Sequence, residues 1–151
     1  LWVDADHYTP TDATLIPTGK LAPVAGTPLD FQKALPIGLR IADLTGTPAL
    51  GYDHNYVLRT GEAMRKVAEL RAKDSGRWLT IATTEPGLQV YSGNFLFGQA
   101  GKGGKTYAKN SAVCLETQHF PDSVNQPSFP NTILAPGERY RSETMWSFGA
   151  N

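Results

Sequence analysis

Two carboxylates and one amide stand where strand-forming sequence does not ordinarily place them. Glu116 lies inside the run AVCLETQHF (residues 112–120), Asp53 inside GYDHNYVL (51–58) and Gln89 inside LQVYSGNFLF (88–97). A charged or amide side chain in such a segment costs stability unless it faces solvent or serves a function. With a period of two, Glu116 shares a face with Cys114 and Gln118, and Asp53 shares one with Asn55. Three acceptor-bearing side chains on three strands, among Tyr, Trp and Phe, are what a hydroxyl-rich ring requires. The polar groups meet the hydroxyls and the flat apolar faces meet the ring. On residue types alone, the reading in which all three positions are merely solvated stays open.

Competing chemistries find less support. The loop QAGKGGKT (99–106) ends in Gly104-Lys105-Thr106 as a phosphate-binding loop would, but position 99, where that motif needs a glycine, is Gln, and Gly98 is one residue too far away. A hairpin tip fits it better. His7, His54 and His119 form no pair at i, i+2 or i, i+4, and the lone Cys114 has no CxxC partner, so no metal site is expected. Ser92, in VYSGN, lacks the spacing of a nucleophile elbow. With 14 Lys+Arg against 14 Asp+Glu and no like-charge block, neither nucleic acid nor an anionic membrane is an expected partner. No apolar run approaches the roughly 20 residues that span a bilayer. A soluble protein is therefore expected, with the cytoplasm favoured over the periplasm although composition fixes no compartment.

The elements that must position these residues read as all-β. Fifteen Gly and 11 Pro in 151 residues describe a chain that turns often and favours short strands over long helices. Alternation predicts strands over 1–9, 51–58, 77–84, 88–97 and 139–148. Residues 64–72 also fit a helical template, yet the Asp74-Ser75-Gly76 hairpin signal that follows favours a strand. The proline- and glycine-rich path over 10–36 reads as a long surface excursion packed by its own side chains, and 35–43 as a short helical turn. One domain is the ceiling for this length.

Along essentially the whole sequence, the chain resembles the galactose mutarotases, or aldose 1-epimerases. The resemblance rests on GYDHNYVL, SGRWLTIATTEPGLQVYSGNFL (75–96), the long run over 112–149 that contains LETQHFPDSVNQPSFP, and DADHYTPTDATLIPTGKL (4–21). It implies a large antiparallel β-sandwich whose carboxy-terminal portion is residues 1–151. It also implies that Glu116 is a catalytic base, that Asp53 and Gln89 are substrate-binding residues, and that no cofactor or metal is needed. The substrate would be a monosaccharide such as galactose or glucose. The family's catalytic acid is a histidine expected just upstream of Leu1, since none of His7, His54 and His119 matches its motif. A missing amino-terminal segment or chain is thus an expected partner, and the 151 residues alone are expected to show little or no mutarotase activity. A non-catalytic carbohydrate-binding β-sandwich, or a purely structural piece that pairs with a second chain, are the alternatives.

Overall fold

The computed structural model describes residues 1–59 and 63–151. The alternating segments form eleven strands among these residues: β1 (Trp2–Val3), β2 (Ala5–Tyr8), β3 (Ala22–Pro23), β4 (Asp53–Leu58), β5 (Arg65–Arg71), β6 (Arg77–Thr83), β7 (Gly87–Tyr91), β8 (Gln99–Ala100), β9 (Thr106–Tyr107), β10 (Cys114–Gln118) and β11 (Thr144–Ala150). No α-helix occurs among the described residues, and every pairing is antiparallel. A four-stranded sheet runs β1-β5-β6-β11, a five-stranded sheet runs β10-β7-β4-β2-β3, and β8-β9 form a small hairpin. The glycine-rich stretch is the tip of that hairpin, as its turn residues predicted.

One core joins the two larger sheets. Val3, Val67, Ala68 and Ile81 enter it from the first sheet, and Tyr56, Leu58, Leu88, Val90 and Leu115 from the second. The sandwich thus follows from alternation: each strand gives its apolar face to the core. The excursion over 10–36 is packed as expected, with Val24, Leu29 and Phe31 almost fully buried. Two core tyrosines tie it down through their polar ends, Tyr56 Oη donating to the Leu29 carbonyl at 2.9 Å and Tyr52 Oη to that of Pro28 at 3.2 Å.

The strand at 64–72 is β5, with Val67 and Ala68 buried, so the helical template there was a coincidence of spacing. Four other expectations need correction. The strand expected over 1–9 breaks at Asp4 into β1 and β2, which join different sheets. The segment at 35–43 holds two short 3-10 turns, Ile37–Leu39 and Ile41–Leu44, rather than one. The strand expected over 88–97 stops at Tyr91, because Gly93 takes a φ of +65° and the next residues turn back on buried hydrogen bonds. The strand expected over 139–148 begins only at Thr144, because the segment before it is drawn to Glu85 by Tyr140. On β11, Trp146 lies opposite Ile81 and Phe148 opposite Leu79. They stay 42% and 72% exposed, so the apolar side of the first sheet is open at this edge.

Candidate functional site

Strands β10, β7 and β4 are neighbours in the five-stranded sheet, and their register brings the three candidate residues onto one face. Glu116 pairs with Gln89, and Gln89 in turn pairs with Asn55; one row along, Cys114, Tyr91 and Asp53 pair in the same way. Directly paired residues share a face, so Glu116, Gln89, Asn55 and Asp53 all look away from the core. Their strand neighbours Leu115, Leu88, Val90 and Tyr56 look into it. The cost of placing Glu116, Gln89 and Asp53 on these strands is thereby met, since their face is not the one packed into the main core; Asn55, on the same face, is covered and only 2% exposed.

A chain of side-chain hydrogen bonds organises this face. Gln89 Nε2 donates to Asp53 Oδ1 at 2.7 Å. Gln118 Nε2 donates to Gln89 Oε1 at 3.3 Å and to Asn55 Oδ1 at 3.2 Å. Asp53 accepts only, so it dictates which end each amide presents down the line. Glu116 stands outside this relay, exposed at the edge strand, with its carboxylate open to a ligand. Although Cys114 is exposed, partial desolvation by its neighbours, with the Glu116 charge beside it, pushes its thiol up. A cavity of about 50 Å³ lies against Asp53, Asn55 and Gln89.

The three histidines are placed apart from Glu116. His7 is on β2, three strands from β10, or roughly 14 Å at about 4.8 Å per strand. His54 points to the other side of β4, edge-on to Tyr8 with ring centres 5.8 Å apart, and its Nδ1 accepts the Asp53 backbone N–H at 3.0 Å. Burial lowers its pKa to about 4. A histidine that binds its proton near 6.5 when unfolded and only near 4 when folded costs the folded state stability as pH falls through that window. Lowering the pH from 7 to 5 is therefore expected to cost on the order of 2 kcal/mol, a loss that His54→Phe should largely remove. Urea unfolding at the two pH values measures it, and an unchanged slope in the variant would rule His54 out as its source.

His119 belongs to a cluster that the sequence did not reveal. Its Nδ1 lies 2.7 Å from Glu85 Oε2, and Tyr140 Oη donates to Glu85 Oε1 at 2.8 Å. Burial opposes the charge on Glu85, but hydrogen bonds from Ser142, Tyr140 and His119 outweigh it and hold the carboxyl below the usual glutamate range. These partners lie 34 and 55 residues from Glu85, beyond the reach of any local pattern. The cluster borders a cleft of about 740 Å³ that includes Gln118 but none of Glu116, Asp53 and Gln89. Asn55 and Gln118, by contrast, were legible as face-sharing neighbours of Asp53 and Glu116.

Known proteins bear on this arrangement. The aldose 1-epimerase family model matches residues 1–147. The galactose mutarotase of Mus musculus is 47% identical over 147 residues, which is 97% of this chain and 42% of that protein. The aldose 1-epimerase of Escherichia coli is 39% identical over 152 residues, 98% of this chain and 44% of that protein. Among solved structures, an aldose epimerase homologue from C. elegans superimposes with a TM-score of 0.85 at 28% identity, covering 99% of this chain and 45% of that one. A galactose 1-epimerase from Lactobacillus acidophilus superimposes at 0.70 and 25% identity, covering 99% and 43%. The chain thus spans less than half the length of these relatives. No described helix is long and apolar enough to cross a membrane. With the family model matched from Leu1 to Ser147 and the sandwich superimposing along nearly all of its length, the chain belongs to the aldose 1-epimerase family.

Proposed function

We propose that the protein carrying this chain interconverts the α and β anomers of a hexose such as galactose or glucose, with Glu116 as the base and with Asp53 and Gln89 holding sugar hydroxyls. The observation that carries this reading is the convergence of Glu116, Gln89 and Asp53 on one outward face of three adjacent strands. The relatives, a galactose mutarotase and an aldose 1-epimerase, suggest the reaction class.

The chemistry suits these groups. To invert the anomeric centre, the C1 hydroxyl must lose its proton while the ring oxygen gains one, so that the C1–O5 bond breaks and C1 becomes an aldehyde. Rotation about C1–C2 then presents the other face, the ring oxygen attacks C1, and both protons return. The exposed Glu116 carboxylate is open to receive the C1 proton. The fixed Asp53–Gln89 pair, held at 2.7 Å, offers acceptors and an amide to the neighbouring hydroxyls without reorganisation. The acid must reach the ring oxygen from a second position, and among the described residues none of His7, His54 and His119 hydrogen-bonds the side chain of Glu116, Gln89 or Asp53.

Polarimetry on freshly dissolved α-D-galactose tests the reading. The protein carrying this chain should hasten the approach to anomeric equilibrium, and binding without any acceleration would overturn it. The 151-residue polypeptide alone should leave the spontaneous rate unchanged. Acceleration by that polypeptide would mean that one of the three histidines, or another group within it, supplies the acid.

A further inference from the structure

The cavity beside the relay holds two polar atoms without partners. Thr9 is 1% exposed and Asn55 is 2% exposed, and neither Thr9 Oγ1 nor Asn55 Nδ2 has a hydrogen-bond partner among the described residues. Both residues line the cavity of about 50 Å³, together with Asp53, Gln89, Thr11 and Leu15. An unpaired buried donor or acceptor is expensive, and native proteins rarely leave two side by side. Nor can Asn55 escape by turning its amide over. Asp53 fixes the Gln89 amide with its nitrogen inward, so Gln89 presents oxygen to Gln118, Gln118 presents nitrogen to Asn55, and Asn55 answers with oxygen. Its Nδ2 is thereby aimed away from the relay.

We propose that this cavity is a binding pocket for a single hydroxyl oxygen, which accepts from Asn55 Nδ2 and exchanges a hydrogen bond with Thr9 Oγ1. Its volume admits one or two groups the size of water, which occupies about 30 Å³ in the liquid, and is too small for a whole sugar ring. The guest closes the relay at its far end and stiffens Asn55, Gln118, Gln89 and Asp53 as one unit. A water and a hydroxyl of the bound sugar share this chemistry, and only the second source rests on the mutarotase reading.

Thr9→Val, which keeps the shape and removes the hydroxyl, separates the possibilities in the protein carrying this chain. Three readouts are needed: the thermal midpoint, calorimetric affinities for galactose and its monodeoxy derivatives, and high-resolution crystal structures with and without galactose. If water is the guest, the sugar-free crystal shows an oxygen within hydrogen-bonding distance of both atoms. Thr9→Val then lowers the midpoint by a few degrees without altering the ranking of the deoxy sugars. If the sugar supplies it, the oxygen appears only in the complex. One deoxy derivative then binds the native protein about tenfold more weakly than galactose does, and Thr9→Val closes that gap. An empty cavity in both crystals, unaltered deoxy gaps and a midpoint that holds or rises in Thr9→Val would overturn the proposal. A protein that binds galactose without hastening its mutarotation would defeat the mutarotase reading and leave the crystal and midpoint results standing.

Discussion

Glu116→Gln should leave a folded, sugar-binding protein whose anomer interconversion is slowed by about 10²- to 10⁴-fold, the range that a single positioned base contributes. The substitution keeps the length and shape of the side chain and removes only its ability to take a proton. Glu116 is exposed on an edge strand and makes no side-chain hydrogen bond or ion pair among the described residues, so stability should move by no more than about 0.5 kcal/mol. Sugar affinity should change little, because Asp53 and Gln89 are held to each other rather than to Glu116. Polarimetric initial rates and a thermal melt on the same preparation measure both halves of this expectation. A rate within a few-fold of native would remove Glu116 from the base role, while a large loss of stability would make it a structural residue.

Asn94→Ala should act in the opposite way, through stability first. Asn94 is fully buried just beyond β7, where the strand expected from sequence breaks off. Its Nδ2 donates to the Ala49 and Tyr52 carbonyls, both at 2.8 Å, and its Oδ1 accepts from Ser92 Oγ at 2.5 Å and Asn110 Nδ2 at 3.0 Å. Of these partners, the Tyr52 carbonyl keeps the Ser92 backbone N–H, Asn110 keeps the Ser92 carbonyl, and the Ala49 carbonyl loses its side-chain donor. One orphaned buried acceptor plus the cavity left behind comes to about 3 kcal/mol, or a fall of several degrees in the midpoint of the protein carrying this chain. The site is affected at second hand. Asn94 pins Tyr52, the residue before Asp53, and Gly51 leaves it room at a φ of +154°, where a Cβ would come within 2.2 Å of Asn94 Oδ1. Loosening that end of β4 should raise KM more than it lowers kcat, since Glu116 is on a different strand. A midpoint within about 2 °C of native would show that the node is not the anchor it is taken to be.

How far the sequence reached can be judged from these two residues. Glu116 was legible because a carboxylate between Leu115 and Thr117 in an apolar run has to be explained, and alternation alone puts it on the face opposite Leu115. Asn94 was not, because nothing local distinguishes a buried amide from an exposed one in YSGNF. Its partners come from Ala49, Tyr52 and Asn110. For the same reason the strand over 88–97 was drawn too long: the apolar residues continued, but Gly93 and the buried amide ended the pairing. The error over 139–148 has a similar origin, since Tyr140 is held by Glu85 from a distant part of the chain.

What the sequence determined by itself was the period of each strand, and with it which side chains could share a face: Asp53 with Asn55, and Glu116 with Gln118. Period two is a property of extended backbone and needs no partner. Which strands became neighbours was decided only by the tertiary structure. The order β10-β7-β4 sets side by side segments far apart along the chain, and its register alone brings Glu116 opposite Gln89 and Gln89 opposite Asn55. A slip of one residue in either pairing would have turned one strand's candidates into the core. The apolar residues between them, Leu115, Leu88, Val90 and Tyr56, forbid that slip because only one register buries them all. The same packing of the 10–36 excursion against β4 encloses Thr9 and Asn55 around a space that neither segment could define alone.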